Sequence, residues 1–184
     1  MVPGVHDVGM TEEIALRPVR EDDLPMLEEL TQDPERTGEF EWFGWADLRH
    51  WRRGWDENGL ITPDGGTLIV ARGDQQLGLV NWYRQRTVPC SSSSYCWEIG
   101  IMLLPEAQGR GYGTQAQRLL ARYLFAHTTA HRIWAWIEVG NIAEQKALEK
   151  AGFTREGITR ATWWRDGAWR DAVIYSLLRT DPAV

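Results

Sequence analysis

The chain has 184 residues, 43% of them hydrophobic and 25% charged, with 26 acidic residues against 20 Lys and Arg for a net charge of −6. That length and balance predict one globular domain with a buried core and exclude a disordered chain. The acidic sign argues against a surface that coats nucleic acid or adheres to an anionic membrane, so neither is an expected partner.

In chain order, residues 1–12 read as a flexible leader and 13–180 as a single domain. The stretch "EIALRPVR" (13–20) reads as a strand with Ile14 and Leu16 on one face. "EDDLPMLEEL" (21–30) opens on acids and repeats Leu24, Leu27 and Leu30 at helical spacing. "WADLRHWRRGW" (45–55), with Leu48, Trp51 and Trp55 at helical offsets, predicts a second helix. Turn chemistry at "PDGG" (63–66) precedes a hairpin of strands 67–72 and 77–83 about the "GDQQ" turn. A polar loop (87–94) leads to an apolar strand (95–104). Beyond three clustered glycines, residues 114–127 form an amphipathic helix with Ala116, Leu119, Leu120 and Tyr123 on its buried side. A strand (132–139) and an Asn-capped, Gly-terminated helix (141–152) follow. Strands on either side of the "RDG" turn (165–167) close the chain as a hairpin. No window approaches ~18 uninterrupted apolar residues. Residues 1–13 lack the basic and apolar blocks of a signal peptide. Cys90 and Cys96 match neither a CxxC nor a zinc spacing, so free thiols, a cytoplasmic location and no metal are expected.

Gly109, Gly111 and Gly113 lie where a buried strand meets a helix N-terminus. The first N–H groups of a helix have no intrahelical partner, and the helix dipole attracts anions. Backbone free of side chains there can approach a pyrophosphate, with Gln108 and Arg110 as further donors. A Walker loop would need GxxxxGK followed by Ser or Thr, and a Rossmann turn GxGxxG near the start of a βαβ unit; neither is present.

Residues Gln108 to Thr114 do match the pattern Gln/Arg-x-x-Gly-x-Gly/Ala of the acyl-coenzyme A loop in GNAT acetyltransferases. Pro105 and "NIAEQKALEKAGF" (141–153) resemble the same family, and its "EKAGF" ending is similar to the branch that acetylates ribosomal proteins and amino termini. The resemblance follows the element order over ~13–179. It implies an α+β (mixed α/β) fold, a V-splayed mixed sheet of about seven strands flanked by helices, with acyl-CoA in the gap between two parallel strands. It further implies that the backbone of Met102 and Leu103 pairs with the pantetheine arm. Gln108, Gly109, Arg110, Gly111, Tyr112, Gly113 and Thr114 would hold the pyrophosphate. Asn141 would reach the pantetheine amide; a simple helix cap is the structural alternative.

The expected reaction is transfer of an acetyl group from acetyl-CoA, the acyl donor, to a primary amine of a small molecule or peptide N-terminus. Direct attack in a ternary complex is expected, because neither cysteine has an evident base partner. The alternative is an acyl-CoA-binding module with little catalysis. Deprotonating an α-amino group at pH 7 costs about 1 kcal/mol and a lysine amine about 4–5, so a weakly basic carboxylate could serve the former. Glu98, in "WEIGIML", is the candidate base, since apolar neighbours would raise its pKa; Glu138 is the second. Leu148 stands where many relatives have a tyrosine, and Glu144 where the resembling branch has a serine. The proton for the leaving thiolate therefore has no assigned donor, with Tyr95 and water as candidates.

Eleven tryptophans cluster along the chain. Trp42, Phe43 and Trp45 fall in the segment that forms the acceptor side in this family and are the expected acceptor-binding wall, with Arg49, Arg52 and Arg53 nearby. Trp51 and Trp55 read as helix-to-sheet core. Trp163 and Trp164 are candidates for a homodimer contact.

Overall fold

A computed structural model describes residues 13–87 and 94–182. The expected leader, most of the polar loop and Cys90 lie outside the described residues. Eight strands form one sheet: β1 (Ala15–Pro18), β2 (Ile61–Thr62), β3 (Gly65–Arg72), β4 (Gln75–Arg86), β5 (Tyr95–Leu103), β6 (Arg132–Glu138), β7 (Thr154–Arg165) and β8 (Ala168–Leu178). Their spatial order is β1-β3-β4-β5-β6-β8-β7, with β2 paired to β3. Strands β3 and β4 are buried without alternation over Thr67–Ala71 and Leu77–Val80, the pattern of strands covered on both faces. Sheet and helices enclose one apolar core.

The helices are α1 (Leu24–Gln32), α2 (Pro34–Thr37), α3 (His50–Asn58), α4 (Tyr112–His127) and α5 (Ile142–Lys150). Leu24, Leu27 and Leu30 are fully buried, as their spacing predicts. The helix expected over 45–55 instead runs from His50. Asp47 accepts the backbone N–H of Arg49 at 2.9 Å and forms a turn there, leaving Leu48 61% exposed. Trp51 is buried against α1 and donates to Thr31 at 3.2 Å. On α4 the buried stripe is Tyr112, Ala116, Gln117, Leu120, Ala121 and Leu124. Tyr123, expected inside, packs edge-on to Trp82 at the rim and is exposed.

Two irregularities shape the site. All neighbouring strand pairs are antiparallel except β5 and β6, which run parallel and pair only at Trp97↔Ile133 and Glu98↔Trp134. Beyond those two residues each strand continues on its other neighbour, β5 along β4 to Leu103 and β6 along β8 to Glu138, without pairing to each other, so the sheet splays. The second is a bulge in β7 between Thr159 and Trp163. It is held by Asp171 accepting from the backbone of Ala161 at 2.8 Å, with Ala161 at φ 52°. The extra residues re-aim the end of β7, which carries Trp163 and Arg165. The hairpin itself turns at Asp166 and Gly167, both left-handed, as the Asp-Gly pair predicts.

Candidate active site

The chain leaves β5 through buried Leu104 and a single 3-10 turn (Pro105–Ala107). Gly109 and Gly111 then adopt φ of 73° and 80°. This left-handed backbone favours glycine, and a Cβ at either position would meet no atom within 4 Å. Conformation therefore requires these two glycines, and the open space beyond leaves their backbone accessible. Helix α4 begins at Tyr112, two residues earlier than its periodicity suggests, with Gly111 as its N-cap and no side chain capping it. The first-turn N–H groups and the dipole of a 16-residue helix thus face the loop.

The loop's side chains divide in role. Gln108 donates to the Leu103 carbonyl at 3.0 Å and braces the loop on β5. Tyr112 turns into the core, where its hydroxyl accepts from Arg72 at 3.0 Å. Thr114 donates to the Ala147 carbonyl at 3.3 Å, tying α4 to α5. Arg110 is exposed. Between α4, α5 and the open edge of β5 runs a groove of about 570 Å³, lined by Met102, Leu103, Gln108, Gly109, Gly111, Gly113, Thr114 and Asn141. Lys146 and Lys150, one turn apart on α5, border it with positive charge that the sequence reading missed. Tyr112 and Arg110 are outside this lining. Asn141 caps α5, its Oδ1 accepting from the Glu144 N–H at 3.1 Å, while its side chain also borders the groove.

The groove opens into a second cavity of about 190 Å³ where β5 and β6 part. Phe40, Glu41, Ile101, Asn141 and Glu144 line both spaces and mark their junction. Four carboxyls face this cavity, from Glu41, Glu98, Glu138 and Glu144. Arg165, 6% exposed and outside that lining, pairs with Glu138, donates to the Phe40 carbonyl at 2.6 Å and lies over the Phe40 and Phe43 rings. Tyr83, Trp136 and Trp163 complete aromatic walls.

Glu98 occupies the last paired position before the splay, opposite Trp134 on β6 and Tyr83 on β4. Burial raises its pKa, opposed by the neighbouring donors Trp134 and Gln85. Burial pushes Glu41 up to about 7, with Arg165 pulling it back. Glu41 keeps exposed surface although it lines both the cavity and the groove, so water screens part of that burial effect. Glu144 is pushed to about 7 as well, by burial and then by Glu41, while a hydrogen bond from Gln117 favours its charged form. The set suits a cationic acceptor: carboxyls to attract and deprotonate an ammonium, aromatic faces to flank it.

The expected acceptor wall is brought together only in part. Phe43 lines the cavity, edge-on to Trp163 at 6.3 Å. Trp42 and Trp45 pack edge-to-face on each other at 5.2 Å outside the lining, with Trp45 76% exposed. Arg52 and Arg53 pair with Glu28 and Asp47 on the outer surface. Tyr95 lies away from the cavity, its hydroxyl 3.1 Å from that of Thr129. Trp163 turns to the cavity, whereas Trp164 stacks edge-on with Trp169 in solvent. Cys96 is a buried free thiol raised to about 11 by burial. Phe40, Glu41, Tyr83, Trp136 and Glu144 were not singled out as cavity residues in the sequence. They come from four separate segments, and no motif joins them.

Among proteins of known sequence, the probable N-acetyltransferase YjcK of Bacillus subtilis is 37% identical over 83 residues, 45% of this chain and 46% of that protein. The matched stretch thus spans about half the length of that relative. Among solved structures, a spermidine N-acetyltransferase from Vibrio cholerae in complex with CoA and spermine superposes with a TM-score of 0.75 at 18% identity, covering 91% of this chain and 96% of that one. Mycobacterium smegmatis RimJ in complex with CoA-disulfide gives 0.71 at 21%, covering 92% and 83%. At such identities these two structures establish the fold. The model of the acetyltransferase (GNAT) domain matches residues 13–154. That span runs from β1 through the splayed strands, the glycine loop and the Asn-capped helix, and the chain belongs to the GNAT family.

Proposed function

We propose that this protein transfers an acetyl group from acetyl-CoA to a primary amine, of a small molecule or of a peptide or protein N-terminus, by direct attack in a ternary complex. The carrying observation is the junction of two spaces at the splay: a groove headed by the glycine loop and a carboxyl-rich, aromatic cavity. The groove fits the donor. The open edge of β5 at Met102 and Leu103 would pair with the pantetheine arm, and Asn141 would donate to it from the other side. The N–H groups from Gly109 to Thr114 would hold the pyrophosphate, with Gln108 and Tyr112 acting through the loop and Arg110 as an exposed cation beside it.

In the cavity, Glu98 is the proposed base, accepting the proton of the attacking amine directly or through one water. Glu138 is less suited because Arg165 already engages it. Phe43, with Phe40 and Trp163, would flank the acceptor, while Trp42 and Trp45 would meet the outer part of a longer one. Structural relatives whose names carry a polyamine and a CoA complex are consistent with cationic acceptors. The reading needs no metal and places the reaction in the cytoplasm. Self-association through the exposed Trp164–Trp169 pair belongs to the same reading, and sedimentation of wild type against Trp164→Ser checks it.

Release of CoA thiol from acetyl-CoA, followed across a panel of diamines, polyamines, amino acids and short peptides, tests the function. Amine-dependent release is expected, strongest for acceptors carrying more than one positive charge. Leu148, buried where many relatives have a tyrosine, favours the second reading, a module that binds acyl-CoA. Tight CoA binding without thiol release for every amine would select it.

A further inference from the structure

We infer that Glu144 is the general acid of the transfer, its carboxyl delivering a proton to the departing sulfur where groove and cavity meet. This rests on the acetyl-transfer reading above. Glu144 stands in the first turn of α5 and lines both spaces. A donor in the groove must pass its thioester through that junction to meet an amine in the cavity. Tyr95, the other side chain considered for this role, is remote from it.

The packing around Glu144 favours a proton there. Its Oε1 accepts from Nε2 of Gln117, a residue only 2% exposed. Gln117 Oε1 is buried and has no hydrogen-bond partner among the described residues. A carboxylate has no proton to offer such an acceptor, whereas a neutral carboxyl has an O–H to donate. Glu41, from the segment between α2 and α3, faces Glu144 with like charge. Glu98 on β5 and Glu138 on β6 also line the cavity, Glu138 being paired with Arg165 on β7. Lys146 lies on the groove side of Glu144's own helix. The dipole of α5 favours the charged form, but burial and Glu41 outweigh it, so the carboxyl holds its proton up to about pH 7.

The step balances as follows. The amine nitrogen bonds the acetyl carbon and gives up a proton to Glu98. The carbon–sulfur bond breaks with its electron pair on sulfur. Sulfur takes the Glu144 proton to become the thiol. Water returns a proton to Glu144 and removes one from Glu98, so the net products are amide and thiol.

Glu144→Gln keeps the size and the Gln117 contact but cannot deliver a proton. It should lower kcat by about tenfold or more while the Kd for acetyl-CoA stays within about twofold. The wild-type fall in kcat above about pH 7 should disappear in this variant, and Glu144→Asp should retain part of the rate. Infrared difference spectra without substrate should show a neutral carboxyl band at pH 6 that Glu144→Gln removes. A Glu144→Gln enzyme with wild-type kcat and an intact alkaline limb overturns the assignment. So does an alkaline limb lost instead in Tyr83→Phe, which would make Tyr83 the donor. Absence of turnover by wild type with every amine sinks the transfer reading and this role with it, whereas normal turnover with an unaffected Glu144→Gln sinks this role alone.

Discussion

Gly111 illustrates how one residue can be required twice over. Its φ of 80° disfavours any side chain, and its open surroundings leave backbone N–H groups for an anion. Conformation and charge can be separated, because Asn tolerates the left-handed region far better than other residues. Gly111→Asp should weaken CoA binding by about tenfold or more, through repulsion of the phosphates at a helix N-terminus. Gly111→Asn should weaken it much less; calorimetry on both variants measures the difference, and equal losses would move the phosphates elsewhere. Glu98 offers a second test at this scale. Glu98→Gln should reduce kcat by about a hundredfold with CoA affinity unchanged. A wild-type rate with the true acceptor would remove Glu98 from the mechanism.

Among the elements, α5 and the end of β7 decide whether the cavity keeps its shape. Asn141 caps α5 through the Glu144 N–H, and α5 in turn presents Glu144 and borders the groove. Asn141→Ala should cost about 1 kcal/mol of stability in denaturant unfolding, and should also weaken CoA binding if its amide reaches the donor. The bulged end of β7 carries Arg165, whose side chain is 5% exposed and pairs with Glu138, itself 11% exposed. Arg165 also holds the Phe40 carbonyl, so it pins the segment bearing Phe40, Glu41 and Phe43 over the cavity. Arg165→Met should destabilise the fold by about 3 kcal/mol or more, because Glu138 is left buried without a partner. Adding Glu138→Gln should restore part of that loss. No recovery in the double variant would mean that the Phe40 contact, and not the ion pair, carries the effect.

At the scale of the whole molecule, the cavity's carboxyls leave a mark on stability. Glu41 and Glu144 rise from the ordinary 4.5 to about 7, and Glu98 is also raised. A carboxyl with a raised folded-state pKa favours folding most below its unfolded value, and that advantage is lost as pH rises through the folded one. The free protein should therefore lose stability between about pH 4.5 and 7. Asp23 acts in the opposite sense: although burial opposes its charge, the Arg17 side chain, the Arg20 N–H and Gln76 hold its pKa low. Its contribution is lost only under more acidic conditions, below that window. Thermal melts from pH 5 to 8 should show Tm falling with pH, with a shallower fall in Glu144→Gln. A Tm that rises across this interval would contradict the placement of these carboxyls.

Local sequence determined the parts whose physics is local. Leucine spacing marked α1, an Asp-Gly pair marked the last hairpin, Asn141 marked a helix start, and the glycine loop marked an anion site at a helix mouth. Element order with those motifs was enough to resemble the family. Periodicity misjudged α3, because the Asp47 turn competes with helix, and placed Tyr123 inside, because the width of the buried stripe depends on what the helix packs against. The cavity was decided only by tertiary structure. Glu41, Tyr83, Trp136, Glu144 and Trp163 are scattered along the chain, and they converge because β5 and β6 stop pairing after two residues and a bulge redirects β7. No short-range pattern encodes that convergence, since burial and mutual repulsion give these carboxyls their chemistry only after the strands have parted around them.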